Sequence, residues 1–251
     1  LKEEGFYEVI NFPFTNKETN IKIDNPLDVN KGYIRTTLKD SLIENLLFNE
    51  RRQKDSLKFF EISDIYEFTG KEIKVKKVLG IIASGRMGKD YKTFQKKINE
   101  EYINELLLKF EMNNLTEINE IPRDNLDTKV KDKIIYLEIC LDKLPKKLEQ
   151  IKLNDNNEYL NILYEKISEY PSSNRDLSFS IKDFSKLDEL QNLILSYNSE
   201  ILKEVFIFDY YADKKNELIK IGFRFIFQSK TGTITDNEVD NEIDSIINSA
   251  L

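Results

Sequence analysis

The chain has no histidine, no tryptophan and a single cysteine, Cys140, among its 251 residues. Histidine is the commonest general base and transition-metal ligand in proteins, so its absence excludes every Ser-His or Cys-His mechanism. A lone cysteine excludes an intrachain disulfide and favours a reducing compartment. Because Cys140 lies in the apolar run IIYLEICL, we interpret it as a buried hydrophobe and not as a reactive thiol.

Long apolar runs are also missing. No stretch approaches the roughly 18 apolar residues of a membrane span, and the opening LKEEGFYEVINF lacks the basic start and apolar core of a secretion signal. The first residue is Leu1 and not Met, which indicates a piece of a longer protein. With 8 Gly, 5 Pro and 40% hydrophobic residues, the composition is that of a folded chain large enough for two modest domains. We expect no membrane association and a cytoplasmic location.

Positive charge is scarce overall, since 38 Lys and Arg stand against 45 Asp and Glu, a net charge of −7. This balance argues against nucleic-acid affinity along the whole chain but permits a local basic surface. Residues 71–97 are strongly basic, and within them we single out a possible secondary basic surface of Lys89, Lys92, Lys96 and Lys97. This segment predicts contact with an RNA backbone or an acidic partner; the alternative is a solvated hairpin and helix start.

Hydrophobic periodicity predicts an α+β fold for the first part of the chain. A core-facing helix is expected after Thr37, and the runs at 57–68 and 75–84 predict antiparallel strands around the turn TGKE. The run at 134–141 predicts a buried strand. A second helix is expected after GRMGKD, with apolar residues at intervals of four: Ile98, Tyr102, Leu106 and Phe110. Residues 112–133 give no clear prediction.

From residue 168 the pattern predicts the order strand, helix, strand, strand, helix. The first helix is expected to start at Ser185 with Asp188 as its capping partner, and the second to start with a capping box of Thr235 and Glu238. This order is that of a ferredoxin-like split βαβ unit, which normally closes with a fourth strand. Because the sequence stops at INSAL, that strand is either missing from this piece or absent in nature.

The strand ELIKIGFRFIFQ separates two faces of the predicted sheet. Its Ile and Phe residues at odd positions share one face, which the two helices are expected to cover, while Arg224 lies on the other. That second face is predicted to stay open to solvent or a partner, with the small polar residues Asp176, Ser178 and Ser180 beside Arg224. The acidic last helix would repel a polyanion from the far side. The alternative is that Arg224 is simply a solvated strand residue.

Three motifs in this part, YPSSNRDLSFSI, VFIFDYY and FRFIFQSKTGTITDNEV, resemble in order those of the ferredoxin-fold anticodon-binding domain that ends bacterial phenylalanyl-tRNA synthetase beta subunits. The segments GFYEVINFPF, NPLDVNKGYIRTTLKDSLIENLLFNERRQ and LKFFEISDIYEF resemble that subunit's degenerate class II synthetase-like domain. LKFFEIS lacks the Arg of a class II ATP-binding strand, and no G-x-G-x-x-R follows. The chain departs from the family in a shortened middle region without its histidine motifs, and it lacks the editing module.

The resemblance implies three regions: a noncatalytic synthetase-like domain at 1–150, a connector at 151–167, and an anticodon-binding domain at 168–251. It also implies a role in an α2β2 phenylalanine-tRNA ligase, with phenylalanine tRNA and the catalytic alpha subunit as partners and no DNA. The assembly would use ATP and magnesium, whereas this chain is expected to hold no cofactor, metal or catalytic residue. The alternative function is a ferredoxin-like regulatory module that binds a small molecule; the absence of a Gly-rich loop favours RNA.

Family motifs fall on individual residues of this chain. They match at Arg175, Asp176, Asp209, Arg224, Gln228, Ser229, Thr235 and Asp236. Arg and Lys neutralise phosphate and Tyr stacks on unpaired bases, so the predicted RNA contacts are Arg175, Tyr210, Arg224 and Lys230. Asp176 is expected to pair with Arg175 or to cap a turn, and Thr235 to cap its helix.

Overall fold

A computed structural model describes residues 1–144, 166–213 and 215–250, which form two compact units. The described part of the first unit is 1–87 with 97–144, and that of the second is 88–96 with 166–213 and 215–250. Most of the predicted connector at 151–167 lies outside the described residues. Both units combine helices with sheets, which confirms the predicted α+β class. Within the described part of the chain, no helix has the length and apolarity needed to cross a bilayer.

The first unit is built on a five-stranded sheet. The described part of the whole unit contains seven strands, β1 (Tyr7–Glu8), β2 (Phe14–Thr15), β3 (Tyr33–Ile34), β4 (Ser56–Phe68), β5 (Ile73–Gly85), β6 (Asn119–Ile121) and β7 (Ile134–Cys140), and the helices α1 (Lys39–Glu50) and α2 (Glu100–Lys109). The main sheet has the order β1-β4-β5-β7-β6, and β2 pairs with β3 in a separate sheet. Strand β1 runs parallel to β4, and the other pairs of the main sheet are antiparallel. The predicted hairpin, helix and buried strand are all confirmed.

Both faces of this main sheet are buried. On one face the side chains of Leu42 and Leu46 in α1 pack against β4, β5 and β7. On the other face, Leu106 and Leu107 of α2 pack against the same three strands. Residues of β7 alternate between the two clusters, with Ile135, Leu137 and Ile139 toward α2 and Ile134 and Tyr136 toward α1. A strand that is apolar at nearly every position, as IIYLEIC is apart from Glu138, is what such a double-sided burial requires.

The helix α2 begins later than its apolar spacing predicted. The side chain of Asn99 accepts a hydrogen bond from the Tyr102 N–H at 3.0 Å and caps the helix, so Ile98 precedes it. Phe110 follows its last residue and is 36% exposed. The buried residues of α2 are Ile103, Leu106 and Leu107. Ile98 is buried in the same cluster as these residues but lies outside the helix. The predicted stripe of four is thus wrong in extending the helix to Ile98 and Phe110, and Phe110 leaves the buried face because a 3.6-residue period drifts away from a strict spacing of four.

The second unit has the predicted β-α-β-β-α order. Its elements are β8 (Ser173–Ile181), α3 (Leu187–Leu195), β9 (Leu202–Asp213), β10 (Leu218–Phe227) and α4 (Asp236–Ala250). Strand β10 lies in the middle and is antiparallel to β8 and to β9, and the sheet has these three strands within the described residues. Phe223, Phe225 and Phe227 of β10 are fully buried in one cluster with apolar residues of α3 and α4. The covered face is therefore the predicted one.

The two helices of this unit start in different ways. At α4 the predicted capping box is present: the Thr235 N–H donates to the Glu238 carboxylate at 2.7 Å and the Glu238 N–H donates to the Thr235 hydroxyl at 3.3 Å. The cap predicted for α3, Ser185 with Asp188, was wrong. Instead Asp183 accepts hydrogen bonds from the N–H and the hydroxyl of Ser185 and starts a 3-10 turn before α3.

Candidate nucleic-acid interface

Arg224 lies on the face of β10 that points away from the aromatic core, and it is paired with a carboxylate. Its Nε and Nη2 atoms donate to the two carboxylate oxygens of Asp176, each at 2.7 Å. The register of β8 and β10 places these residues directly opposite each other. Two parallel charge-assisted bonds fix the guanidinium in direction as well as position. The expectation that Asp176 pairs with Arg175 or caps a turn was wrong, because its partner lies across the strand pair.

The face of the sheet that holds Arg224 is not open along its whole width. Phe94, from the segment Gly88–Lys96, is 2% exposed. Its ring centroid lies 5.7 Å from that of Phe206 and 5.5 Å from that of Phe208. The guanidinium carbon of Arg224 lies 4.7 Å from the centroid of the Phe94 ring. The predicted open face is thus wrong where this segment packs, since apolar side chains of β9 provide a surface that an aromatic residue covers.

The segment Gly88–Lys96 has two further contacts with β9. Lys89 Nζ donates to both carboxylate oxygens of Glu204 at 2.7 Å, and the ring centroids of Tyr91 and Tyr210 lie 5.4 Å apart. Inside the segment, a hydrogen bond from the Thr93 hydroxyl holds the pKa of the Asp90 carboxyl below its usual range. An aromatic ring already occupies one side of Tyr210, which was predicted to stack on a base.

Arg175, the other predicted arginine contact, lies on the helix side of β8. Its Nη2 donates to Asp236 at 2.9 Å and to Asp240 at 3.4 Å, both in the first turns of α4. Its Nη1 donates to the Ser173 hydroxyl at 2.8 Å. The structure therefore places Arg175 and Arg224 on opposite faces of the sheet, each bound to carboxylates, and does not bring them into one surface.

Lys230 follows β10 and lines a groove of about 480 Å³ together with Lys166 and Lys203. We call this the lysine groove, defined by these three side chains. The Gln228 amide joins its walls, because its nitrogen donates to the Tyr170 carbonyl at 2.6 Å and its oxygen accepts from Lys203. Sequence reasoning selected Lys230 but missed Lys166 and Lys203. Both lysines could have been found from their position in the sequence, because they lie at the end of the predicted sheet where β9 begins and β10 ends.

The possible secondary basic surface is divided between the two units. Lys89, Lys92 and Lys96 belong to the second unit and Lys97 to the first. Lys97 binds Asp132 at 2.8 Å, and the Lys92 ammonium lies 5.7 Å from the centroid of the Tyr91 ring. Elsewhere in residues 71–97 the hairpin β4–β5 pairs its own charges, as in Lys77 with Asp64 at 3.1 Å. Much of the positive charge of this segment is thus compensated locally.

Two family models match two separate parts of the chain. Residues 168–251 match the "Ferredoxin-fold anticodon binding domain", and residues 1–110 match the "Phenylalanyl tRNA synthetase beta chain CLM domain". The chain therefore carries a domain of the ferredoxin-fold anticodon-binding family after a segment of the synthetase beta-chain family. Together with the relatives described next, these matches place the chain in the phenylalanine-tRNA ligase beta-subunit family.

Curated relatives align with almost the whole of this chain. A phenylalanine-tRNA ligase beta subunit of Fusobacterium nucleatum is 30% identical over 98% of this chain and 36% of its own length. The beta subunit of Aquifex aeolicus is 25% identical over 99% of this chain and 35% of its own length. A chloroplastic beta subunit of Pyropia yezoensis is 25% identical over 96% of this chain and 38% of its own length. The chain spans little more than a third of the length of these relatives.

Proposed function

We propose that this chain is a noncatalytic part of a phenylalanine-tRNA ligase and that its second unit binds the anticodon region of phenylalanine tRNA. The match of residues 168–251 to the anticodon-binding family carries the proposal. The β-α-β-β-α order and the sheet order β8-β10-β9 support it. The predicted contacts Arg175, Tyr210, Arg224 and Lys230 belong to this proposal.

The first unit has a separate role in this proposal: it docks on the catalytic alpha subunit of an α2β2 assembly. The match of residues 1–110 to the synthetase beta-chain family supports this role. So do large apolar side chains that are exposed near its start, such as Ile10 at 92% and Phe12 at 71%. Aminoacylation, with ATP and magnesium, would take place in the catalytic subunit, in the cytoplasm.

The test is a titration of the 251-residue chain with phenylalanine tRNA and with a non-cognate tRNA at two salt concentrations. Tighter binding of phenylalanine tRNA, weakened by salt, is the expected result, because phosphate contacts release counterions. Equal binding of both tRNAs would contradict anticodon recognition. The docking role is tested separately by co-purification with the catalytic alpha subunit; separate elution of the two chains would contradict it.

A further inference from the structure

We propose that RNA binds the second unit over the segment Gly88–Lys96, where Lys92 and Lys96 contact phosphates and Tyr91 stacks on an unpaired base. We call this segment the strap, and it has the sequence GKDYKTFQK. The inference rests on the proposed function and names the surface that performs it. It moves the RNA contact from the face of the sheet to a segment that lies on that face, and it narrows the predicted secondary basic surface to two of its four lysines.

The strap covers two of the residues that were predicted to hold RNA. The centroid of the Phe94 ring lies 4.7 Å from the guanidinium carbon of Arg224, and the same guanidinium is bonded to Asp176. The ring centroids of Tyr91 and Tyr210 lie 5.4 Å apart. RNA that reached Arg224 would have to displace the strap and expose the Phe94 ring, which is 2% exposed. That displacement loses the free energy of burying an aromatic side chain, so binding on top of the strap is favoured.

The strap is held in a defined conformation by polar contacts. At its start, Lys89 Nζ donates to both carboxylate oxygens of Glu204 at 2.7 Å. Within it, the Asp90 carboxylate accepts hydrogen bonds from the Lys92 N–H at 2.8 Å and from the Thr93 hydroxyl at 2.9 Å. A surface that is fixed before binding loses less conformational entropy when a ligand arrives.

Side chains along the strap point alternately to the sheet and to solvent. Phe94 is buried against β9, whereas Lys92 and Lys96, two positions to either side of it, are exposed. Neither of these two lysines forms an ion pair with a carboxylate in the part of the chain that the structure describes. Lys89 and Lys97, in contrast, are each bound to a carboxylate. Exposed ammonium groups bind phosphate as mobile point charges, so the strap supplies the sequence-independent part of RNA binding.

Other surfaces of the second unit suit RNA less well. Helix α4 has no Lys or Arg and carries five carboxylates: Asp236, Glu238, Asp240, Glu242 and Asp244. This helix covers the opposite face of the sheet and repels a polyanion from that side. In the lysine groove, Lys166 is paired with Glu169 at 3.5 Å, and Lys203 donates to Gln228. A phosphate in the groove would compete with these partners, whereas the strap offers Lys92 and Lys96 without a carboxylate partner.

Tyr91 provides a stacking surface beside these lysines. It is 40% exposed, whereas Tyr210, the predicted stacking residue, is half-buried. The Lys92 ammonium lies 5.7 Å from the centroid of the Tyr91 ring, so a basic and an aromatic group stand side by side. Unpaired bases stack on such rings while lysines hold the backbone. We therefore assign the stacking role to Tyr91 in place of Tyr210.

The test measures binding of a labelled RNA hairpin, with the anticodon stem and loop of phenylalanine tRNA, by fluorescence anisotropy. The double variant K92E/K96E is compared with K182E/K186E, which makes the same charge change at the same spacing, just after the end of β8. Each pair also has one aspartate close by, Asp90 or Asp183. We expect the strap variant to bind at least about tenfold more weakly and the matched control to change by less than about threefold. Circular dichroism checks that each variant is folded.

Salt dependence and the tyrosine sharpen the test. K92A/K96A should reduce the magnitude of the slope of log K against log salt by about 1.4 to 2, the value for two lost phosphate contacts. Tyr91→Phe should bind as the unchanged chain does and Tyr91→Ala more weakly, because stacking needs the ring and not the hydroxyl. Equal weakening by K92E/K96E and K182E/K186E would overturn the proposal, since it would indicate unspecific attraction.

Phe94→Ala distinguishes a strap that binds RNA from one that blocks a site beneath it. If RNA binds over the strap, the loss of its anchor should weaken binding, because Lys92 and Lys96 are no longer held in place. Phe94→Leu, which keeps an apolar anchor, should weaken it less. Unchanged or tighter binding by a folded Phe94→Ala variant would overturn the proposal, and tighter binding would place the site on the sheet face around Arg224.

The remaining outcomes separate this proposal from the function on which it rests. Phosphate contacts do not read sequence, so K92E/K96E should weaken phenylalanine tRNA and a non-cognate tRNA by the same factor. If the unchanged chain prefers phenylalanine tRNA and K92E/K96E binds it equally well, the strap assignment is wrong and the proposed function survives. If the unchanged chain binds neither the hairpin nor the whole tRNA at low salt, both proposals fail for this chain.

Discussion

The two units keep their charges in different places. All the buried polar or charged side chains found in the described residues belong to the first unit: Arg35, Glu50, Lys58, Glu61 and Ser84. The second unit places its ion pairs at the surface, and even the Arg224–Asp176 pair has a carboxylate side chain that is 39% exposed. The first unit is therefore stabilised partly by charges that must be paired, whereas the core of the second is apolar.

The difference follows from how each sheet is covered. In the first unit helices pack on both faces, so a polar side chain in the middle of β4 has no path to water and needs a partner inside. Glu61 accepts hydrogen bonds from Arg35 Nη1 at 2.9 Å and from Asn11 Nδ2 at 2.8 Å. In the second unit α3 and α4 cover one face, and the alternating polar residues of β8 reach solvent on the other. Coverage of the sheet, more than composition, decides where a charge must be paired.

Removing one member of the buried pair is expected to have the largest effect. Glu61→Ala leaves the Arg35 guanidinium, whose side chain is 5% exposed, without its carboxylate. We expect the free energy of unfolding to fall by about 3 to 5 kcal/mol, measured by urea unfolding followed by circular dichroism. The control is Glu204→Ala, which removes the surface partner of Lys89 and should cost less than about 1 kcal/mol. Similar losses for the two variants would remove the contrast between the units.

The next effect concerns Phe94, which covers part of the second sheet face. Phe94→Ala removes a ring that is 2% exposed and that packs on Phe206 and Phe208. We expect a loss of about 3 kcal/mol of unfolding free energy, seen as a lower midpoint of thermal unfolding. Tyr211→Ala, at a position that is 57% exposed on β9, serves as the control and should change stability by less than about 1 kcal/mol. An unchanged midpoint for Phe94→Ala would mean that the segment does not stabilise the unit.

The two units also contain tyrosines whose pKa values are raised, Tyr136 in the first and Tyr197 in the second. Burial raises the pKa of Tyr136 in the first unit, so above pH about 10 an unfolded chain loses this proton and the folded chain keeps it. The stability contributed by Tyr136 is thus complete below pH 10 and falls as pH rises, by up to about 1.4 kcal/mol per pH unit. Tyr136→Phe should remove that dependence in unfolding measurements between pH 9 and about 11.

Tyr197 of the second unit is the matched control for Tyr136. Burial and a hydrogen bond to the Glu242 carboxylate raise its pKa to about 12, so its contribution is lost between pH 10 and about 12. Between pH 10 and about 12, Tyr197→Phe should therefore change the pH dependence as much as Tyr136→Phe does, and the two should differ only above about pH 12, where Tyr197 also ionises in the folded chain. A dependence on Tyr136 that ends below the pH at which that on Tyr197 ends would contradict the deeper burial of Tyr136.

The sequence predicted those features that depend on neighbouring residues. The hairpin of β4 and β5, the capping box at Thr235 and the two faces of β10 follow from local periodicity and turn chemistry. Contacts between distant residues were missed. Phe94 packs against β9, which is more than a hundred residues away in the sequence. The position of a lysine in a basic segment likewise does not predict which carboxylate it will pair with. Of the candidate site, Lys230 could be selected, but its groove could not, because the groove needs three separate segments.

The smallest expected effect tests how the second unit uses polar groups at its surface. Thr235→Ala removes the hydroxyl that accepts the Glu238 N–H at the start of α4, and loss of such a cap costs about 1 kcal/mol. Ser185→Ala is the control, since the 3-10 turn before α3 is capped by the carboxylate of Asp183, which still accepts from the residue 185 N–H. Urea unfolding should therefore show a measurable loss for Thr235→Ala and a smaller one for Ser185→Ala. If the order were reversed, the Ser185 hydroxyl and not the Asp183 carboxylate would hold the 3-10 turn before α3, and the distinction between the two helix starts would be wrong.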